Sequence, residues 1–290
     1  MKDNWTIKDI PKLEGKTIIV TGANSGIGFE ATKIFASKGA KVIMGCRNIK
    51  KSEQAKKDIL SEFPNAELFL EELDLSSFES IKNFSSKINN EYKSIDILLN
   101  NAGIMTTPYG PTKDGIEQQI GVNHFGHYYL TMSLLKLITS TPHSRIVNIA
   151  SIAHKFGSLN PKTFLYKKGN RYNKSKAYSQ SKLANLLFTY KLQNELEVRN
   201  IDTKVLAAHP GISRTNLGRH IKALQFKVIE KLFGLFNQTQ AQGCLPGVRA
   251  CTDPNAQSGE YYGPKGFYEV KGLPILVKAK PKAHNVELQN

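Results

Sequence analysis

Residues 16–28 read KTIIVTGANSGIG, a stretch that predicts how the chain begins to fold. Residues 16–20 are rich in β-branched side chains, which favours a strand, and a helical pattern of apolar residues follows position 28. The turn between them has the glycine spacing G-x-x-x-G-x-G. Glycines allow a tight turn and let backbone N–H groups approach a phosphate at the N-terminus of the helix. Taken alone, this turn is compatible with a phosphate cradle and equally with an ordinary loop.

Strands and helices alternate beyond this first unit. We expect further strands at residues 41–46, 67–70, 95–99, 145–150 and 203–208, and helices at residues 77–92 and 116–138. Such alternation predicts an α/β protein with a Rossmann fold, a doubly wound parallel sheet with helices on both faces. We expect a single dinucleotide-binding and catalytic domain over residues 1–290.

Two segments interrupt this alternation, residues 152–175 and residues 213–242. Both leave the predicted ligand-binding edge of the sheet, so we interpret them as insertions that cover the substrate. Within the second segment, residues 221–233 are amphipathic, with lysines between the apolar positions. A helix of this kind could cover a lipophilic substrate, make a peripheral membrane contact or pack on the core.

Composition narrows the class of protein. The formal net charge of +16 favours acidic partners such as a phosphorylated cofactor or anionic lipid, although lysines scattered over solvated faces would give the same value. Because no nucleic-acid-reading motif accompanies the charge, we expect no nucleic acid partner. The 3 cysteines lack metal-type spacing, and His124 and His127 have no carboxylate or cysteine motif beside them, so no metal is expected. The odd cysteine count and the lack of an apolar run of about 20 residues predict a soluble cytoplasmic protein without a transmembrane segment.

The residues after the second strand bear on the choice of cofactor. An NAD enzyme of this architecture is expected to carry an acidic residue about 20 positions beyond the glycines, where it binds the ribose 2′-hydroxyl. Cys46, Arg47 and Asn48 occupy that region instead, and Lys33 lies on the preceding helix. A cation favours a 2′-phosphate, so the sequence predicts NADP over NAD, unless Arg47 is simply an exposed arginine on a turn.

Tyr178 and Lys182 stand one turn apart in a predicted helix. A fixed cation near a phenol favours the phenolate, so the pair could exchange a proton at neutral pH, which suits carbonyl and alcohol chemistry. Tyr172 and Lys176 repeat the spacing upstream, and a packed tyrosine beside a solvated lysine is the alternative for either pair. We favour Tyr178 because it leads directly into a long apolar helix.

Candidate site residues stand at the carboxyl ends of the predicted strands. They are the glycine turn, Arg47, Asp74, Asn101, Ser151 and Pro210. In a parallel sheet these ends share one edge, and ligands bind in the crevice there. Their convergence predicts one site.

In this order, the motifs resemble those of the short-chain dehydrogenase/reductase family, and within it the retinol dehydrogenase-like branch. The resemblance covers most of the chain, from about residue 16 to residue 263. It rests on Thr21-Gly22 with Gly26-Ile27-Gly28, Asp74-Leu75, Asn100-Asn101-Ala102-Gly103, Asn123, Ser151, Tyr178 with Lys182, and Pro210-Gly211 with Thr215. Cys46-Arg47-Asn48 and residues 179–185 are similar to the retinol dehydrogenase-like branch in particular.

The resemblance implies a role for each catalytic residue. Tyr178 would be the general acid/base, Ser151 would hold the substrate oxygen, Lys182 would lower the pKa of the tyrosine and bind the nicotinamide ribose, and Asn123 would anchor a water leading from Lys182 to solvent. The implied cofactor-binding residues are Gly22, Asn24, Ser25, Gly26, Ile27, Gly28, Arg47, Asn48, Asp74, Leu75, Asn101, Ala102, Gly103, Tyr178, Lys182, Pro210, Gly211 and Thr215. Among these, the glycine turn would cradle the pyrophosphate, Asp74 would touch the adenine and Thr215 would meet the carboxamide.

We therefore expect an NADP-dependent oxidoreductase that transfers a hydride between the cofactor and a lipophilic alcohol, aldehyde or ketone. The alternative is a catalytically silent cofactor-binding sensor or scaffold of the same fold. The family often pairs subunits through the helices that carry Asn123 and Tyr178, so a homodimer is expected by analogy. Two departures from the family pattern bear on the substrate: the gap between Ser151 and Tyr178 is long, and we expect no N-terminal membrane anchor.

Overall fold

The computed structural model describes residues 4–159, 172–212 and 238–289. One eight-stranded sheet crosses this part of the chain. In chain order its strands are β1 (Thr17–Thr21), β2 (Lys41–Cys46), β3 (Leu68–Glu72), β4 (Ile97–Asn100), β5 (Arg145–Ile149), β6 (Lys204–Ala208), β7 (Tyr261–Pro264) and β8 (Pro274–Leu276). The sheet therefore contains strands from both the N-terminal and the C-terminal parts of the described residues.

The strands lie in the order β3-β2-β1-β4-β5-β6-β7-β8. The first seven pair in parallel, and β8 runs antiparallel to β7. The chain winds outward from β1 through β2 to β3, then returns to the other side of β1 and continues from β4 to β8. Ligands of doubly wound sheets bind where this winding reverses, outside the carboxyl ends of β1 and β4.

Helices connect the strands and cover both faces of the sheet. They are α1 (Gly26–Ser37), α2 (Ile49–Glu62), α3 (Phe78–Glu91), α4 (Gln118–Ile120), α5 (Gly126–Thr139), α6 (Lys174–Val198), α7 (Gln240–Gly243), α8 (Leu245–Thr252) and α9 (Val286–Gln289). A π-helical turn, Gly121–Phe125, joins α4 to α5. The side chains of Asn48, Ser77 and Asn173 accept backbone N–H bonds at the starts of α2, α3 and α6, which fixes where these helices begin.

The core has two layers, one on each face of the sheet. Ile18 and Val20 of β1 pack with α1, α2 and α8, whereas Ile19 between them packs with α3, α5 and α6. Successive side chains of a strand point to opposite faces, so a central strand covered on both sides is apolar along its whole length. This is why the β-branched run before the glycine turn was a reliable strand signal.

The predicted Rossmann fold is confirmed, with three local corrections. The third strand runs to Glu72 instead of residue 70, and the fourth begins at Ile97 instead of residue 95. The helix predicted over residues 116–138 is interrupted by the π-helical turn. Strands β7 and β8 were not predicted, because they have only 4 and 3 residues and include Gly263, Pro264 and Pro274, which are poor strand formers.

Much of the two predicted insertions lies outside the described residues. This holds for residues 160–171 and for residues 213–237, which include the amphipathic run and Thr215. The lid role of these segments therefore stays a prediction. The single-domain assignment and the cytoplasmic location also stay predictions. Among the helices that the structure describes, none combines the length and the apolar character that crossing a bilayer requires.

Candidate active site

Helix α6 carries Tyr178 and Lys182 on one buried face, where their exposed fractions are 8% and 4%. The ammonium nitrogen of Lys182 lies 5.9 Å from the centre of the phenol ring, as expected for residues one turn apart. The same nitrogen donates a 2.9 Å hydrogen bond to the carbonyl oxygen of Ile149, the last residue of β5. The predicted pair therefore faces the carboxyl end of β5.

Ser151 follows the end of β5 and is held through both its side chain and its main chain. Its hydroxyl oxygen accepts the N–H of Ala153 at 3.2 Å, and the hydroxyl is hydrogen-bonded to the phenol of Tyr178. Its carbonyl oxygen lies 2.7 Å from Nδ1 of the buried His154, whose Nε2 accepts the N–H of Lys280 at 3.3 Å. His154 is therefore neutral with its proton on Nδ1, in line with burial lowering its pKa to about 4.

Burial dominates the acid–base properties of the pair. It raises the pKa of Tyr178 above its usual value, and the hydrogen bond from Ser151 offsets part of that rise. Burial also lowers the pKa of Lys182 to about 8. The net shift of the phenol pKa is upward because the phenol is taken out of water, and the lowering expected from Lys182 stays a prediction. Tyr178 is a protonated phenol at neutral pH.

The competing pair, Tyr172 and Lys176, has a different environment. Tyr172 lies before the start of α6, its hydroxyl donates to Glu117 at 2.8 Å, and Gln119 Nε2 donates to it at 2.6 Å. Lys176 is exposed on the first turn of α6. Tyr172 therefore fastens the loop before α4 to the start of α6, and the two side chains do not form a buried pair.

Asn123 sits in the π-helical turn, close to Lys182. Its Oδ1 accepts the N–H of Ile104 at 2.8 Å, and its Nδ2 donates to the Ile104 carbonyl and to Ser181 Oγ, both at 2.9 Å. A Cβ atom built on Gly103 would lie 3.2 Å from Asn123 Oδ1 and 3.5 Å from Lys182 Nζ. Asn123 therefore ties the loop after β4 to the helix that carries the candidate catalytic lysine.

The glycine turn after β1 packs tightly against the end of β4. Thr21 Oγ1 accepts the N–H groups of Asn101 and Ala102, each at 2.9 Å, and Asn101 Nδ2 donates to the Thr21 carbonyl at 2.8 Å. A Cβ on Gly28 would lie 2.4 Å from Asn101 Nδ2 and from the Gly22 carbonyl oxygen. Gly22 itself has a φ of +68°, which favours glycine. The sequence pattern thus reflects both backbone conformation and close approach.

The N-terminus of α1 fits a phosphate of a dinucleotide. Ser25 precedes the helix in an extended conformation and makes no side-chain capping bond with the described residues of the first turn, which contains no acidic residue. The first N–H groups of the helix stay available for an anion, and the helix dipole favours negative charge there. A side chain at position 28 would overlap Asn101 and the Gly22 carbonyl, so only glycine fits at this point of the turn.

Arg47 and Asp74 lie at the neighbouring ends of β2 and β3. Arg47 is exposed, and its charge acts on Asp74. Burial acts to raise the pKa of Asp74, but hydrogen bonds from Ser76 and the charges of Arg47 and Lys113 bring it below its ordinary value. Asp74 is therefore a carboxylate at neutral pH, and it shares the edge of the sheet with the arginine predicted to bind a 2′-phosphate.

Several predicted cofactor residues also have structural contacts. Asn48 Oδ1 accepts the N–H of Lys51 and caps α2, and the side chains of Ile27 and Leu75 are buried in the core. Lys33 forms a 2.6 Å ion pair with Glu62. The cofactor contacts predicted for these residues stay predictions.

Pro210 and Gly211 follow the end of β6, as predicted. The Pro210 carbonyl accepts a hydrogen bond from Gln238 Nε2, and a Cβ on Gly211 would lie 2.2 Å from the Val270 carbonyl oxygen. The loop between β7 and β8 therefore packs directly on this turn. Thr215 lies outside the described residues.

Comparison with known families bears on this arrangement. The profile of the short chain dehydrogenase family matches residues 16–225. The chain belongs to the short chain dehydrogenase family. The matched region of the dehydrogenase contains the glycine turn, Ser151, Tyr178 and Lys182, and the resemblance predicted from the motifs is confirmed.

Relatives of the dehydrogenase agree with this assignment. Human retinol dehydrogenase 14 is 40% identical over 270 residues, which cover 87% of this chain and 79% of the relative. Human retinol dehydrogenase 12 is 38% identical over 253 residues, with 87% and 78% covered. A crystal structure of a protein from Mycobacterium paratuberculosis superposes with a TM-score of 0.81 at 34% identity and covers 99% of this chain and 93% of that chain. The predicted similarity to the retinol dehydrogenase-like branch is therefore confirmed.

More distant structures share the fold of the dehydrogenase. A short chain dehydrogenase from Shigella flexneri, solved in complex with NADP, has a TM-score of 0.67 at 22% identity and covers 86% of this chain and 97% of that chain. At this identity the similarity concerns the fold alone.

The described part of the dehydrogenase contains a polar cluster around Glu269 that the sequence did not predict. Glu269, in the loop between β7 and β8, accepts a 2.9 Å bond from Lys155, and its other oxygen lies 3.0 Å from Nε2 of the buried His209. Burial acts to raise the pKa of Glu269, but contacts with His209 and Lys155 lower it to about 2. Tyr268 and Glu269 both have positive φ, of 50° and 60°, a backbone strain that is often kept near functional sites. The cluster joins the turn after Ser151 to the end of β6.

Proposed function

We propose that this protein is an NADP-dependent oxidoreductase that transfers a hydride between the nicotinamide cofactor and a lipophilic alcohol, aldehyde or ketone. One observation carries the proposal: a buried phenol, a hydroxyl bonded to it and a buried ammonium meet at the carboxyl edge of the sheet. The groups belong to Tyr178, Ser151 and Lys182. The glycine turn lies at the same edge, and at Gly28 it packs too closely on its neighbours to admit a side chain.

A bound nicotinamide would supply the hydride chemistry. The side chains would hold the reacting oxygen and exchange one proton with it. The Ser151 hydroxyl is a donor suited to orienting a carbonyl oxygen, and the Tyr178 phenol, which burial keeps protonated, is an acid suited to delivering the proton. For alcohol oxidation the phenolate would accept that proton, and Lys182, whose pKa burial lowers to about 8, stands one turn away to stabilise it.

Arg47 supports the preference for NADP. It is exposed directly after β2, in the region where an enzyme that binds NAD would carry an acidic residue. A guanidinium can form two parallel hydrogen bonds with a phosphate, whereas it gains less from a hydroxyl. The carboxylate of Asp74 offsets part of the charge of Arg47. The formal net charge of +16 for the whole chain also favours a phosphorylated cofactor.

A lipophilic substrate is supported by the surroundings of the site and by the relatives. Phe156, Phe267 and Tyr268 are 78%, 79% and 73% exposed. The ion pair between Lys155 and Glu269 holds the segment that carries Phe156 against the loop that carries the other two aromatic residues. Exposed aromatic side chains next to a site are typical of surfaces that receive apolar ligands. The similar human proteins are named retinol dehydrogenases, and retinol is a lipophilic alcohol.

The direct test is to mix the purified protein with NADPH and a panel of aliphatic and aromatic aldehydes and ketones, and to follow absorbance of the reduced cofactor. We expect oxidation of NADPH, with the best substrates among the longer apolar carbonyl compounds. Tight NADPH binding without turnover on any member of the panel would overturn the proposal and favour a cofactor-binding sensor or scaffold.

We also propose that the protein forms a homodimer through α5 and α6. Tyr128 and Met132 on α5 are 44% and 40% exposed, beside a cavity of about 580 Å³ that residues of α5, α6 and the C-terminal segment line. Apolar exposure of this kind on α5, beside a cavity that α6 also lines, is typical of an interface. Light scattering should give about twice the chain mass of 32.3 kDa, and a monomer at that concentration would contradict the proposal.

A further inference from the structure

His127, on the first turn of α5, connects the cofactor edge of the sheet to the π-helical turn. It is buried, with 2% of its surface exposed. Its Nε2 lies 2.8 Å from Thr21 Oγ1, at the start of the glycine turn, and its Nδ1 lies 3.1 Å from the carbonyl oxygen of Asn123. The imidazole therefore spans the gap between the two halves of the candidate site.

The hydrogen bonds of Thr21 assign the direction of this bridge. Its hydroxyl oxygen already accepts two N–H groups, from Asn101 and Ala102, so both lone pairs are used. The single hydroxyl proton must then be donated, either to the Leu99 carbonyl oxygen at 3.5 Å or to His127 Nε2 at 2.8 Å. The shorter distance favours His127, because hydrogen bonds of an O–H group are usually below about 3.0 Å.

This donation fixes the tautomer of His127. Because Nε2 accepts the Thr21 proton, the imidazole proton is on Nδ1 and is donated to the Asn123 carbonyl oxygen. A doubly protonated ring would place its Nε2 proton against the Thr21 oxygen, whose lone pairs are occupied. Burial and the positive charge of Lys182 act in the same direction and keep the pKa of His127 low, at about 3.

His127 contacts the main chain of Asn123 and not its side chain. The Asn123 side chain is already committed to Ile104 and Ser181, so the side chain fixes the position of the π-helical turn relative to α6. His127 fixes the main chain of the same residue relative to the glycine turn. One residue thus receives constraints from both the cofactor side and the catalytic side.

We propose that His127 is a positioning residue that couples the cofactor edge to the proton-handling side of the site, with a separate task for each ring nitrogen. Nε2 holds Thr21, and through it the ends of β1 and β4 that border the cofactor. Nδ1 holds the carbonyl of Asn123, the residue whose side-chain oxygen lies on the same side of Gly103 as the Lys182 ammonium. The second task rests on the proposed function, whereas the first concerns cofactor binding alone.

Two substitutions separate these tasks. His127→Asn puts an amide nitrogen near the position of Nδ1, so it keeps a donor for Asn123 and leaves the Thr21 hydroxyl only the Leu99 carbonyl oxygen at 3.5 Å. His127→Gln puts an amide oxygen near the position of Nε2, so it keeps an acceptor for Thr21 and leaves the Asn123 carbonyl without its side-chain donor. His124→Asn, on the same stretch of helix, is the control, because that imidazole packs among Phe125, Tyr128 and Phe188.

The experiment measures the Kd for NADPH by fluorescence, kcat at saturating NADPH in normal and heavy water, and Tm. For His127→Asn we expect the Kd to rise about tenfold, the factor carried by one buried hydrogen bond, while kcat stays within about twofold. For His127→Gln we expect the reverse: an unchanged Kd, a kcat about tenfold lower and a larger solvent isotope effect. A merely structural histidine would lower Tm and move Kd and kcat together in both variants, which would overturn the proposal.

A spectroscopic measurement tests the bridge without turnover. Nitrogen-15 spectra of the imidazoles should show His127 protonated on Nδ1 and bare on Nε2 between about pH 5 and pH 9. The opposite tautomer, or a ring that titrates in this range, would overturn the assignment. If the unmodified protein turned over no carbonyl compound, the proposed function would fail, but the Kd of His127→Asn and the nitrogen-15 spectra would still test the role of Nε2.

Discussion

Lys182 donates a 2.9 Å hydrogen bond to the main-chain oxygen of Ile149, so the candidate catalytic ammonium is anchored to the end of a strand instead of to an acidic side chain. Asn185 Nδ2 donates to the same oxygen at 3.1 Å. Burial lowers the pKa of Lys182 to about 8, and no carboxylate of residues 4–159, 172–212 or 238–289 forms an ion pair with it. A buried cation with neutral partners is costly for stability, which indicates that it is kept for another reason.

Replacing Lys182 with Met should therefore separate activity from stability. We expect turnover to fall at least about a hundredfold, because the phenol loses the cation next to it. The free energy of unfolding, measured in urea, should stay the same or rise by about 1 kcal/mol, because a buried charge is replaced by an apolar chain. Lys176→Met, an exposed control on the same helix, should change neither quantity. A loss of stability above about 3 kcal/mol would indicate that Lys182 is mainly structural.

Replacing Gly28 with Ala should damage the cofactor edge by steric contact. The new Cβ would lie 2.4 Å from Asn101 Nδ2 and from the Gly22 carbonyl oxygen, so the turn and the end of β4 would have to move apart. We expect Tm to fall and the Kd for NADPH to rise at least about tenfold. The control is Gly110→Ala, whose Cβ would meet its nearest neighbour, Gln118 Oε1, at 3.4 Å. Equal effects of both changes would count against a specific role of the close approach.

Replacing Arg47 with Ala tests the preference for NADP. Loss of a charge-assisted contact to the 2′-phosphate should weaken NADPH binding by about tenfold or more, and NADH binding should stay nearly constant. Isothermal titration with both cofactors gives the ratio of the two affinities. Lys50→Ala provides an exposed control nearby. An unchanged ratio in Arg47→Ala would show that another group selects the cofactor.

Replacing Glu269 with Gln should change how stability depends on pH. The pKa of Glu269 is lowered from 4.5 to about 2 by its contacts with His209 and Lys155, after burial has acted to raise it. Its contribution to stability is therefore present above about pH 4.5 and lost as the pH falls towards 2. Urea unfolding should show Glu269→Gln less stable than the unmodified protein at pH 7, with a difference that shrinks below pH 4.5. The exposed control Glu53→Gln should show no such trend, and a constant difference in Glu269→Gln would contradict the assignment.

The sequence was sufficient for the fold because the central strands are buried on both faces. An apolar run such as residues 17–21, followed by a glycine turn and a helix, is compatible with few structures besides a buried central strand. The π-helical turn at Gly121–Phe125 could not be predicted, because its residues fit an ordinary helical pattern and only the packing of α4 and α5 reveals the extra residue. Strands β7 and β8 escaped because short strands that contain glycine or proline give no alternation.

The site was predictable where motifs are local and not where tertiary contacts decide. Tyr178 and Lys182 share one helical turn, so their proximity followed from spacing, but the direction of the phenol pKa depends on burial depth, which spacing does not contain. Glu269 and Lys155 are 114 positions apart, and nothing in the sequence pairs them. In the sequence His127 stands out only as a possible metal ligand, because its partners Thr21 and Asn123 come together only in the folded protein.

Turnover of NADPH by Tyr178→Phe, compared with Tyr172→Phe at saturating cofactor and carbonyl substrate, tests the role of the buried phenol most directly. We expect Tyr178→Phe to bind NADPH as tightly as the unmodified protein and to lose at least about a hundredfold in kcat, with Tyr172→Phe keeping most of its activity. A Tyr178→Phe variant whose kcat stayed within about threefold of the unmodified value would contradict proton transfer by this phenol.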